Sequence, residues 1–135
     1  MKKGIVRLVL AVMILVLATV ACDFSATTAN IRDAYMARDN AGSDRTTVFS
    51  QSDVFYCLVE VQNAPDETTV KVIWYAVNVE NTEPNLLIDE YEVATGDATL
   101  PFNLVSNTGL WPRGTYKVEI YLNGELDRTL DFEVQ

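Results

Sequence analysis

The chain has 135 residues, of which 49% are hydrophobic and 21% charged, with two cysteines, no histidine and a net charge of −9. That apolar content suits one globular domain and excludes a chain without a core. The acidic balance argues against nucleic acid as a partner, since phosphate binding needs a cationic surface that releases counterions.

The first residues set the address. Met1, Lys2, Lys3 and Arg7 make a basic start, and residues 8–20 follow as an apolar run interrupted only by Thr19. This is the layout of a secretory signal, in which the charged end stays inside and a short greasy segment engages the export machinery. At about 1.5 Å per residue the run falls short of a hydrocarbon core of about 30 Å, which disfavours a permanent spanning helix. The run ends in Ala18-Thr19-Val20-Ala21-Cys22, which resembles the lipobox of bacterial lipoproteins. The resemblance implies cleavage before Cys22, acylation of its sulfur, and a domain held on a membrane surface facing the extracytoplasmic or extracellular side. Acyl chains contribute about 0.8 kcal/mol per buried methylene, so no spanning helix is required. Thr19 departs from the usual aliphatic residue, which leaves cleavage after Ala21 by the ordinary signal peptidase as the alternative. Loss of residues 1–21 removes Lys2, Lys3 and Arg7 and no acid, so the mature charge moves from −9 to −12. Residues 22–30 read as a lipidated tether, because FSATTAN is small and polar.

The remaining residues, 31–135, read as strands and turns in succession. Residues 31–38 suit a first strand with Ile31, Tyr35 and Ala37 on one side. The DNAGSD cluster at 39–44 reads as a hairpin connection. A short strand at 46–49 and a turn at 50–53 lead into 54–61, where Phe55, Cys57, Val59 and Val61 share a face. Residues 70–79 form the next strand, with Val70, Val72, Trp74 and Ala76 on one side and Lys71, Ile73, Tyr75 and Val77 on the other. Both sides are largely apolar, which predicts a central strand or a covered outer face. A strand at 86–94 and a tight turn at Thr95-Gly96-Asp97 precede the alternation of Ala98, Leu100, Phe102 and Leu104. Pro101 within that run predicts a sheet edge, since proline cannot donate to a ladder. Gly114–Leu122 alternates Tyr116, Val118, Ile120 and Leu122 with polar residues. Asn123-Gly124 predicts a two-residue type I′ turn into a closing strand at 126–134, with Leu130, Phe132 and Val134 inward. Seven or eight short strands without a long helix indicate an all-β, antiparallel sandwich.

Three features carry a further resemblance. Cys57 lies in an apolar strand, Trp74 follows seventeen positions later, and Gly114-Thr115-Tyr116-Lys117-Val118 looks like the segment of a tyrosine corner. Together they resemble immunoglobulin-like domains, and the WPRGTYKVEIYLNG segment with its closing FEV strand is similar to bacterial lipoproteins carrying such a domain. The resemblance implies that Tyr116 bonds nearby backbone and that Val118 stands where the second core cysteine would be. Hydrophobic packing must then hold the two sheets together, and Cys57 is a buried hydrophobe rather than a reactive thiol.

Chemistry is sparse. Without histidine, no base stands ready for Cys57, and zinc or copper sites lack their usual ligands. Asp39 and Asp44 offer oxygen ligands of the kind calcium prefers, but DNAGSD does not match a loop with carboxylates at its first, third and fifth positions, and a solvated turn is the simpler reading. The acids Glu90 and Glu92, and Asp131 and Glu133, read as the wet faces of strands. No cofactor, metal or enzymatic activity is expected. Residues 22–135 retain only two lysines, Lys71 and Lys117. Both fall on outward positions of strands that neighbour each other in the immunoglobulin-like arrangement, with Ile73, Tyr75, Val77 and Tyr121 on the same side. That set is the candidate partner face for envelope proteins. Trp111 is either an exposed platform on which a glycan or small ligand stacks or a plug for the open end of the sandwich. A non-enzymatic interaction or accessory module of the bacterial envelope is the expected function, and a carbohydrate or small-ligand binding module the alternative.

Overall fold

The computed structural model describes residues 28–135; the signal segment, Cys22 and most of the tether lie outside the described residues. Eight strands follow one another: β1 (Asn30–Ala37), β2 (Val48–Phe49), β3 (Phe55–Gln62), β4 (Thr68–Val79), β5 (Leu86–Thr95), β6 (Ala98–Leu104), β7 (Gly114–Leu122) and β8 (Glu125–Val134). They sort into a three-stranded sheet of order β1-β3-β6 and a five-stranded sheet of order β2-β8-β7-β4-β5. All pairs are antiparallel except the short β2–β8 pair, which is parallel. The fold is an all-β, immunoglobulin-like sandwich.

The two sheets meet through one apolar layer. Phe55, Cys57, Val59 and Val61 face it from β3, and Val70, Val72, Trp74 and Ala76 from β4, as their alternation predicts. Phe55 lies at the centre of an aromatic cluster, with ring centroids 5.0 Å from Phe49, 4.9 Å from Phe132 and 5.6 Å from Tyr116. Val118 and Cys57 are both fully buried, and Cys57 is a free thiol. Packing takes the place of a bridge here: each buried aliphatic side chain contributes about 1.5–3 kcal/mol.

β7 runs over the residues its alternation predicts, and the turn after it has positive φ at both Asn123 (49°) and Gly124 (83°), as a type I′ hairpin requires. Its first residue, Gly114, has φ 147°, and a Cβ there would come within 2.6 Å of Val79 Cα, so only glycine lets β7 approach β4 at this point. Pro101 sits in β6, the edge strand of its sheet.

Two expectations need correction. In β1 the register slips between Ile31 and Asp33, so a bulge at Arg32 changes which residues face inward. Ile31, Ala34, Met36 and Ala37 are buried, whereas Tyr35 turns outward beneath the Arg45 guanidinium, 3.5 Å from its ring centroid. The DNAGSD turn, expected to close a hairpin, starts as one and then departs. An Ala37–Arg45 bridge and the Thr46 amide on Met36 O (3.1 Å) begin the pairing. Beyond them β2 crosses to the other sheet and pairs with β8. The Arg38 guanidinium holds this crossing in place: it donates to Val48 O at 2.7 Å and meets Asp53 and Asp44 carboxylates at 3.2 and 3.4 Å.

Candidate interaction face

β4 and β7 lie side by side at the centre of the five-stranded sheet, and their register fixes the outer face residue by residue. Lys71 stands opposite Tyr121, Ile73 opposite Glu119, and Tyr75 opposite Lys117. Directly opposed side chains on one sheet face are within reach of each other. Each lysine lies over its partner's ring, Lys71 Nζ 4.9 Å from the Tyr121 centroid and Lys117 Nζ 4.9 Å from the Tyr75 centroid. The aromatic face attracts the ammonium, and each such contact at a partly exposed site is worth about 0.5–1 kcal/mol.

Glu119 joins the two pairs. Its Oε1 accepts the Tyr121 hydroxyl at 3.1 Å, and its Oε2 meets Lys117 Nζ at 3.4 Å. The Glu119 hydrogen bond, followed by burial, raises the Tyr121 hydroxyl above the usual phenol range. For Tyr75 burial comes first and the Glu119 charge second, in the same direction. Both tyrosines therefore stay protonated donors at neutral pH. Ile73 lies beneath this polar cover and is only 7% exposed, which explains an apolar residue at an outward position of a central strand.

Acids frame the patch. Glu92 and Glu90 of β5 stand opposite Lys71 and Ile73, and Asp131 of β8 stands opposite Lys117. Val77 is displaced by a bulge in β4 between Ala76 and Asn78 and lines an open hollow of about 360 Å³ with Thr47, Thr115, Asp131 and Glu133. The six residues expected on one side thus share one face, with Val77 at its end. Glu119, which links them, is one of the polar residues that alternate with the buried side of β7. The signal for it was its place between Lys117 and Tyr121 at spacing two along one strand.

Of the two readings of Trp111, the structure has the geometry of the plug. The residue is 7% exposed, its ring stacks on Phe55 with centroids 4.5 Å apart and planes 20° apart, and its Nε1 donates to Asp53 O at 3.1 Å. Its amide donates to Gln51 O at 2.8 Å, and Gln51 Nε2 returns a bond to Trp111 O at 3.0 Å. A ring engaged this way closes the end of the sandwich and leaves little of its surface exposed. At the DNAGSD turn, Asp39 accepts the amides of Asp44 at 2.8 Å and Ser43 at 3.1 Å, which hold its carboxyl below the usual range. Asp44 pairs with Arg38.

No protein-family model matches the chain, and no curated protein matches it in sequence. Among solved structures, an immunoglobulin-like protein from Pseudomonas aeruginosa superposes with a TM-score of 0.54 at 10% identity, over 82% of this chain and 99% of that one. The C-terminal domain of Wzt gives 0.53 at 14% identity, over 82% and 75%. The alkylpurine DNA glycosylase AlkC of Pseudomonas fluorescens, solved with DNA containing an abasic site analogue, gives 0.53 at 13% identity, and this chain spans 31% of its length. At these identities the likeness is one of fold alone.

Proposed function

We propose that the chain is a non-enzymatic interaction or accessory module, held on a membrane through an acylated Cys22 and facing the extracytoplasmic or extracellular side. In this reading it engages a protein of the bacterial envelope through the outer face of β4 and β7. The observation that carries it is the Lys71–Tyr121 and Lys117–Tyr75 pairs converging on Glu119. A patch already ordered by its own contacts loses little side-chain freedom when a partner covers it, and tyrosine gives contact area at low entropic cost. The fold supports a binding role without specifying one, because immunoglobulin-like sandwiches host many functions. The carbohydrate alternative loses its platform with the burial of Trp111.

The test is a double variant of the full-length chain, Lys71→Gln with Lys117→Gln, recovered after chemical crosslinking in its native cells. The reading expects the crosslinked envelope protein to disappear while the melting temperature falls only modestly, since each cation–π contact is worth about 0.5–1 kcal/mol. Unchanged recovery of the same protein would refute the face.

A further inference from the structure

The side of the sandwich opposite β1 and β2 presents two free strand edges: β5 ends the five-stranded sheet and β6 ends the three-stranded one. Two cavities of about 340 and 320 Å³ lie along this side, and Asp89 and Asn103 line both. Trp111 contributes to the first, and Trp74 and Phe102 to the second, all three of them buried. Tyr91 meets Phe102 edge-on at 6.1 Å and is 62% exposed. Of the six exposed large apolar side chains among the described residues, five (Leu86, Leu87, Tyr91, Val105 and Leu110) belong to β5 or to the segment after β6. Such apolar exposure in one region marks a surface that is covered in use.

Charge decides what covers it. Residues 72–112 contain no lysine or arginine and six acids: Glu80, Glu83, Asp89, Glu90, Glu92 and Asp97. None of these acids enters an ion pair among the described residues, where the pairs use acids elsewhere in the chain. Lys71, opposite Glu92, is turned over the Tyr121 ring. A second copy of the chain paired along β5 would set Asp89, Glu90 and Glu92 against their own counterparts, which opposes self-association. Of the two edges, β6 has Pro101, which has no N–H to offer, whereas the ten residues of β5 include no proline.

We propose that the free edge of β5 accepts an extended segment of another protein in which lysine or arginine alternates with apolar residues. The segment adds as a sixth strand to the five-stranded sheet. Backbone hydrogen bonds supply its alignment, Tyr91 on the inner side of β5 covers its apolar positions, and Glu90 and Glu92 on the outer side receive its cationic side chains. This edge adjoins the β4–β7 face but uses none of its lysine–tyrosine pairs, and each can fail without the other.

The experiment uses the full-length chain in detergent micelles and a ten-residue peptide alternating lysine with valine, followed by amide NMR signals. Expected are saturable shifts confined to β5 and β6, a roughly tenfold weaker affinity in Glu90→Gln with Glu92→Gln, and loss of binding when alternate peptide nitrogens are methylated. Unchanged amide dispersion in that double variant shows that it is folded. The proposal is overturned if the basic peptide leaves these signals in place up to about 1 mM. Equal binding of a glutamate-for-lysine peptide or of the methylated peptide also overturns it. Concentration-dependent broadening of β5 without peptide would assign the edge to a second copy, and likewise overturn it.

Discussion

The hydroxyl of Tyr116 donates to the carbonyl oxygen of Pro112 at 2.6 Å, so the side chain that begins the inner face of β7 also ties down the segment leading into it. The bond sits at the end of the core, where Tyr116 stacks on Phe132 with centroids 5.5 Å apart and Trp111 meets it edge-on at 6.1 Å. With Val118 in place of a second core cysteine, this hydrogen bond is a local tie that the missing bridge does not provide.

Tyr116→Phe keeps the ring and removes the donor, leaving the Pro112 oxygen without that partner. A loss of about 1–2 kcal/mol in urea unfolding is expected, with an unchanged denaturant slope. A loss below about 0.5 kcal/mol would show that water replaces the bond at no cost.

Alkaline pH tests the core from a second direction. Burial pushes the Cys57 thiol from 9.0 up to about 12, and burial, aided by the Glu80 charge, pushes the Tyr116 hydroxyl from 10.0 up to about 12. Both folded values exceed the unfolded ones, so the folded chain holds these protons more tightly. Their contribution is complete below the unfolded values and is lost as pH rises through the folded ones. Stability from these groups is therefore expected to begin falling near pH 9 and to keep falling toward pH 12. In Cys57→Ala the onset should move toward pH 10, where Tyr116 begins to contribute. An unchanged onset in urea midpoints across this range would contradict the assignment to Cys57.

Trp111→Ala should cost about 3–5 kcal/mol, the range for deleting a buried aromatic, and should free the Asp53 carbonyl from its bond to the indole while the Gln51 bonds to the backbone of residue 111 remain. Tryptophan fluorescence of the parent should not respond to a glycan array. A melting temperature unchanged in Trp111→Ala, with sugar-dependent quenching in the parent, would restore Trp111 as a ligand platform.

Much of this architecture was legible because the deciding signals are local. Alternation placed β7 without error, Asn123-Gly124 specified its hairpin, and Pro101 marked an edge because a missing N–H has only one tolerable place in a sheet. Less legible were features that depend on pairing. The Arg32 bulge reversed the expected inward side at Tyr35, and bulges leave little trace in composition. β2's passage to β8 rests on two residue pairs distant in sequence. For the candidate face, the sequence placed Lys71 and Lys117 together, but only the register shows that each faces a tyrosine and that Glu119 joins them. The open β5–β6 side follows from strand order alone.

Anchoring through Cys22 is tested by metabolic labelling with a fatty-acid analogue. Label is expected on the parent chain and not on Cys22→Ser, which should also leave the membrane fraction. Equal labelling of both would rule out acylation at this residue.

Site-specific photocrosslinking in the native cell tests the interaction face most directly. A photoreactive phenylalanine analogue is placed at Tyr75 or Tyr121, within the face, and at Thr99, an exposed position on β6 of the opposite sheet. The account expects one discrete envelope-protein adduct from positions 75 and 121 and none of that size from position 99. Adducts equal at all three positions, or found only at 99, would contradict it.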